Sequence, residues 1–185
     1  MRCRIVNSKA IVAENRFDGS YHNAESIVYD NVIKAHSSHT LGYYCSSIFT
    51  SGRNKRTYTT KEYGNPFLSN SDASSQNPFS NCKYSSKKYG FDESSCLKSG
   101  MILTGRVGAI GQTMYVPKFW EDYCALGSDN MIRIVVKPEF KNGAIYAYLA
   151  SRVGCLSFWK HATGGVQPFI TDSMVASLPI PEFND

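Results

Sequence analysis

The stretch MILTGRVGAIGQTMYVP, Met101–Pro117, decides the fold class. Apolar residues flank three glycines, Gly105, Gly108 and Gly111, spaced G-x-x-G-x-x-G. The pattern reads as strand, glycine-rich turn, strand, because glycine reaches the positive φ angles that a tight hairpin needs. Arg106 sits at the turn, where it can meet a ligand. A dinucleotide fingerprint requires G-x-G-x-x-G between a strand and a helix. Here the spacing differs and a strand follows. No glycine is followed by Lys-Ser or Lys-Thr, so the stretch is not a phosphate-cradling P-loop either. Downstream, NMIRIVV (Asn130–Val136) alternates and then turns continuously apolar, as a mostly buried strand does. Residues 101–136 are therefore the clearest β region.

Working outward, residues 143–162 read as the best helix, with Ile145, Tyr148, Leu149, Leu156 and Trp159 on one apolar face. Asn142 is its expected cap, and Thr163-Gly164-Gly165 its expected stop. Pro168 then forces Gln167 toward extended geometry. Thr171 or Asp172 caps a short helix through Leu178, and Pro179 ends it. Upstream, Ser69–Ser99 has 10 serines and no sustained period, and reads as loop with one or two short elements. Residues 40–68 carry β-branched and aromatic residues with turn signals at Ser51-Gly52 and Gly64-Asn65-Pro66. They suggest a short helix or strand and then a hairpin-like region. Residues 23–34 fit a helix, with Ala24, Ile27, Val28, Val32 and Ile33 at helical spacing and Asn23 as cap. Residues 1–13 read as a short strand or arm.

The chain has 185 residues, 42% hydrophobic and 19% charged, which suits one folded domain. A net charge of +5 leans toward anionic partners. The six cysteines are scattered, without a C-x-x-C pair, and the N-terminus lacks the apolar core of a secretory signal. Free thiols and a cytoplasmic setting are expected. No apolar run approaches the roughly 20 residues of a membrane span. His36 and His39 lack the partners that would complete a zinc site.

Reaction chemistry is hard to find. His22, His36, His39 and His161 are available for proton transfer, but none belongs to a nucleophile motif. The adjacent acids Asp92-Glu93 and Glu121-Asp122 read as solvated turns. Asn65-Pro66-Phe67 and Asn77-Pro78-Phe79 hint at the N-P-P-F strip of amino-group DNA methyltransferases, but each lacks the second proline, and no glycine-rich cofactor loop follows a strand. What remains is a mixture of cations, aromatics and polar loops that suits phosphate contact plus base-edge readout. Arg53, Lys55, Arg56 and Lys61 form the densest basic segment, interleaved with Tyr58 and Tyr63 and opposed by Glu62 alone.

Several pieces occur in one order: RFDGSYH (Arg16–His22), RTYTTKEYGNPFLSNSDAS (Arg56–Ser75), the Met101–Pro117 hairpin, GAIYAYLASRVG (Gly143–Gly154) and ATGGVQPFITDSMVASLPIP (Ala162–Pro181). That ordered set, over residues 16–183, resembles a target recognition domain from the specificity (S) subunit of a type I restriction-modification system. The resemblance implies a mixed α/β domain, with a small twisted, barrel-like β region and peripheral helices. It implies sequence-specific reading of double-stranded DNA without catalysis. It also implies partner subunits: modification subunits that methylate adenine with S-adenosylmethionine, and a restriction subunit that cleaves with ATP and Mg. The chain itself would carry no cofactor and no metal. The long spacer helix of a full subunit is absent from this sequence. Origins as a piece of a larger S subunit, a stand-alone domain or part of a fused restriction-methylation enzyme all remain open, as does a protein-interaction module without DNA binding.

The candidate DNA contacts are Arg53, Lys55, Arg56 and Lys61; Asn70, Ser71 and Gln76 after the PFL strand; Arg106; and Thr163, Gly164, Gly165 and Gln167. The last four would offer backbone N–H groups to phosphate and an amide to adenine, or simply end the helix. Asp72, Asp129 and Asn130 read equally well as turn caps.

Overall fold

The computed structural model describes residues 5–19, 21–22, 24–164 and 166–183. Two four-stranded sheets and a layer of helices stack around two hydrophobic clusters. The first sheet has the order β2 (Cys45–Thr50), β9 (Met131–Val136), β6 (Ile102–Gly105), β7 (Thr113–Tyr115), antiparallel throughout. The expected β6–β7 hairpin is present, with Gly108 and Gly111 at φ 75° and 76°. A Cβ on Gly105 would approach the Ala109 backbone, so the turn folds tightly back on its own strand.

This sheet is the middle layer, and its central strands β6 and β9 are buried on both faces. Ile102, Ile132 and Ile134 meet the helical cluster of Leu41, Ile145, Leu149, Phe158, Val175 and Leu178. Met101, Leu103 and Met131 meet the second cluster with Leu68, Leu97, Met114 and Trp120. Alternation along β9 thus divides its side chains between two cores, which explains the continuously apolar sequence.

The second sheet runs β3 (Tyr58–Thr59), β5 (Lys83–Ser86), β4 (Gly64–Leu68), β8 (Leu126–Gly127). The hairpin expected within residues 40–68 does not form: β5, from the serine-rich stretch, inserts between β3 and β4. Its pairing supplies partners to both strands, which one short hairpin would leave at an open edge. Outside the sheets, α4 (Asn70–Ala73) follows β4, a 3-10 turn spans Glu93–Ser95, and α5 (Lys118–Asp122) follows β7.

The helical layer holds α3 (Leu41–Tyr44), α6 (Asn142–Ala150), α7 (Arg152–His161) and α8 (Asp172–Ala176), with α2 (Ala24–Ala35) packed on α7. β1 (His39–Thr40) pairs with β10 (Pro179–Ile180) beneath them. α8 follows its expected Thr171 cap.

Four expectations need correction. Residues 8–14 form a helix, α1, rather than a strand or arm, because Asn7 caps its start and Asn15 closes it in the left-handed region. The helix at 143–162 is two helices. Ser151 is extended (φ −70°, ψ 163°), ends α6 and caps α7 through the N–H of Gly154. The break shifts the phase, so Phe158 and Lys160 turn inward while Trp159 is 40% exposed. Asn142 is the first residue of α6, not its cap, and its amide donates to the Gly100 carbonyl at 2.6 Å. In α2, Ser26, Asp30 and Ile33 face inward, leaving Val28 and Val32 exposed. The expected cap Asn23 lies outside the described residues.

Candidate nucleic-acid interface

The turn before β9 is the hub of the candidate site. It is fixed from below by Arg133, a fully buried arginine in mid-strand. Its guanidinium donates to the carbonyls of Gly127 (2.7 Å), Met131 (2.9 Å), Ser128 and Ser95 (3.4 Å each). Burial lowers its pKa to about 10, so it stays charged at neutral pH. One cation thus holds the turn shut through carbonyl oxygens.

That turn presents Asp129 and Asn130. The Asp129 carboxylate pairs with Arg56 at 3.0 Å and Arg53 at 3.2 Å. Burial pushes the Asp129 pKa up, but the Arg56 hydrogen bond and the Arg56 and Arg53 charges prevail and hold it below the usual carboxylate value. Asp129 is therefore an organiser of cations, not only a turn cap. Arg56 is anchored, with its guanidinium 4.6 Å from the Phe67 ring centroid and a side chain only 19% exposed. Arg53 shares the same carboxylate, but its side chain is 80% exposed and able to engage a ligand.

The Asn130 carbonyl ties in two more segments. It accepts from the Arg106 N–H at 2.8 Å and from the Asn70 amide at 3.4 Å. Arg106 therefore lies at the base of the glycine turn rather than at its tip. Its own carbonyl accepts from the Ile170 N–H at 3.0 Å, which brings in the loop after α7. Thr163 and Phe169 close that loop by exchanging two backbone hydrogen bonds, of 2.9 and 2.7 Å. Gly164 (φ 103°), Val166 and Gln167 are exposed beyond the closure. Gly165 lies outside the described residues.

Arg53 and Arg56 through Asp129, and Asn70 and the Arg106 backbone through Asn130, thus meet at one turn, and the Thr163–Phe169 loop is joined to it through the Arg106 carbonyl. Ser71 is exposed in α4 next to Asn70. Asp72 serves its own helix in a capping box with Ser69. Gln76 is exposed in the turn after α4, Lys55 is exposed with its backbone against Gly90, and no bond joins either to the hub among the described residues. Lys61 precedes β4, whereas Asn70 follows it, so the strand separates Lys61 from the hub.

Sequence reasoning missed Lys83. Strand register puts Tyr58, Lys83 and Phe67 on one face of the second sheet, opposite the face that buries Leu68. The Lys83 ammonium lies 5.1 Å from the Tyr58 ring centroid, beside the Arg56–Phe67 stack. Pairing within a sheet carries this information, and it is not visible in a serine-rich sequence. The face offers fixed cations and rings, the groups that engage phosphates and bases.

Lys61 lines a separate groove of about 600 Å³ with Lys87, Asn65, Phe79, Phe119 and Tyr123. No His, Cys, Asp and Glu cluster among the described residues is arranged to hold a metal. Five of the cysteines are free thiols, as expected. His22 and His161 are tied to backbone carbonyls, of Arg16 at 2.8 Å and of Ser157 at 2.9 Å, and burial lowers the His161 pKa. No helix among the described residues is long and apolar enough to cross a membrane.

This mixed α/β architecture is similar to the target recognition domains of type I restriction-modification S subunits. The HsdS subunit from Thermoanaerobacter tengcongensis matches with a TM-score of 0.54 at 14% identity, over 94% of this chain and 41% of that one. The S subunit from M. genitalium matches with a TM-score of 0.51 at 15% identity, over 77% of this chain and 33% of that one. A chain from a structure on complex assembly and conformational transition of the type I R-M system gives 0.57 at 14% identity, over 94% and 42%. The likeness is one of fold, and the chain spans 33–42% of the length of these proteins. No family model and no curated protein matches the sequence.

Proposed function

We propose that this chain reads double-stranded DNA in a sequence-specific way, as an S subunit or part of one. It would direct adenine methylation and cleavage carried out by partner subunits. The observation that carries the reading is the convergence of Arg53, Arg56, Asn70 and Arg106 on one turn, with the Thr163–Phe169 loop joined to it through Arg106, within an S-subunit-like fold. Arginine suits both guanine edges and phosphates, and the exposed Gln167 amide suits adenine. The chain has no catalytic role in this reading. S-adenosylmethionine, ATP and Mg belong to the modification and restriction subunits, and the assembly works in the cytoplasm.

The test is a gel-shift series over random duplex pools, with the wild type and the triple variant Arg53→Ala, Arg56→Ala, Arg106→Ala. Selective retention of a sequence subset, lost in the folded triple variant, is the expected result. Equal binding by the two proteins would remove these residues from the account. A second reading, docking of a partner protein, draws on the groove with exposed Phe119 and Tyr123. Under that reading, replacing both rings with alanine abolishes subunit binding and leaves DNA affinity intact.

A further inference from the structure

The segment Arg16–His22 holds none of the candidate DNA contacts, yet its described residues are closely bonded to one another and to the helical layer. Arg16 Nε donates to the Asp18 carboxylate at 2.7 Å, and Asp18 accepts from the Tyr21 N–H at 2.9 Å. His22 Nε2 lies 2.8 Å from the Arg16 carbonyl. Two cations lie against the Tyr21 ring, Arg16 at 4.8 Å and Lys160 at 4.7 Å from its centroid. Lys160 in turn pairs with Asp30 of α2 at 2.5 Å, both side chains almost fully buried. Arg16 Nη2, itself 2.7 Å from the Asp18 carboxylate, reaches across to the end of α7 and donates to the Ala162 carbonyl at 2.9 Å.

Ala162 is where α7 ends and the Thr163–Phe169 loop begins. A carbonyl at a helix C-terminus has no partner within the helix, so whatever donates to it fixes the exit direction of the chain. Among the described residues the loop stem is held by Arg16 on Ala162, by the Thr163–Phe169 pair, and by the glycine turn through the Arg106 carbonyl on Ile170 and the Val107–Phe169 bridge. The first of these alone comes from the N-terminal segment.

We infer that Arg16, Tyr21 and Lys160 form a clasp that positions the Thr163–Phe169 loop, making Arg16 a positioning residue for whatever that loop reads. The inference rests on the DNA-reading proposal only for what the loop contacts; the clasp itself is a property of the free protein. Losing one charge-assisted hydrogen bond and its stacked cation loosens a local opening equilibrium by about ten- to a hundredfold.

The experiment is amide hydrogen exchange, resolved by residue, on the free protein. Arg16→Gln and Tyr21→Leu are the test variants. Glu25→Gln is the control: it breaks the Glu25–Arg152 ion pair between α2 and α7, away from the loop. Exchange at Thr163, Phe169 and Ile170 should quicken by about ten- to a hundredfold in both test variants. It should stay at the wild-type rate in the control, with β6 and β9 unchanged in all three. Unchanged loop exchange in Arg16→Gln, or equal acceleration by Glu25→Gln, overturns the clasp. Duplex binding is then measured on the same proteins. Weaker binding in step with loop opening supports positioning, whereas full affinity with an open loop overturns it. Absence of duplex binding by the wild type refutes the DNA reading and leaves the exchange result to decide the clasp.

Discussion

Asp129 holds two arginines with one carboxylate, and its side chain is largely buried against them. An acid inside a cationic patch costs affinity for a polyanion, so its presence is explained by orientation. Asp129→Asn should therefore raise affinity for random duplex while reducing discrimination between sequences, read by competition binding. The same change should destabilise the fold by about 1–2 kcal/mol in urea, because Arg56 loses a charge-assisted bond. Arg133 is the second decisive residue. Arg133→Met fits the space but leaves the Gly127 and Met131 carbonyls without their donor. It should cost about 2–4 kcal/mol, measured by denaturant unfolding, and loosen the turn that presents Asp129 and Asn130.

Among the elements, the α6–α7 junction is tightly constrained. A Cβ on Gly154 would lie 2.6 Å from the Leu149 carbonyl oxygen and closer still to that of Tyr148, so α7 can dock only with glycine there. Gly154→Ala should destabilise by about 2–4 kcal/mol, seen as a lower Tm. This junction also shows where sequence reading stops. Residues 143–162 keep helical spacing and a continuous apolar face, and nothing local marks Ser151 as a break. The break is decided by how closely α7 crosses the end of α6. The glycine hairpin and β9 were legible because strand alternation and positive-φ turns are local. The insertion of β5 between β3 and β4 was not, because Lys83–Ser86 has little hydrophobic pattern of its own and takes its place from strand partners. For the candidate site, the cations were legible as residue types. Their organiser was not, since Asp129 is remote from Arg53 and Arg56 in sequence. The α2–α7 pair offers a further check. Lys160→Met alone leaves Asp30 buried without its closest cation and should cost about 3–5 kcal/mol, whereas adding Asp30→Leu should recover much of that loss.

At the scale of the whole molecule, the charge distribution sets two responses to solution conditions. Duplex binding should weaken with salt, by roughly a hundredfold between 50 and 200 mM if about four phosphates are neutralised. Titration of affinity against salt measures that slope, and a flat line contradicts the interface. Folding stability should respond to acid. Asp30 and Asp129 both have lowered pKa values: burial pushes each up, but the Lys160 and Lys34 partners of Asp30 and the arginines around Asp129 outweigh it. A carboxylate with a depressed folded-state pKa stabilises the fold above its unfolded value near pH 4 and loses that contribution as pH falls through the folded value. Urea midpoints should thus drop below about pH 4, less so in Asp129→Asn. The closure between Thr163 and Phe169 carries a last consequence. The stem is fixed by backbone groups, by Arg16 and by the core, so the side chains of Val166 and Gln167 can be exchanged without disturbing it. Under the proposed DNA-reading function, such a loop is a replaceable cassette: substitution at its exposed positions should change sequence preference, read by selection from random duplex pools, while the scaffold that delivers them stays the same.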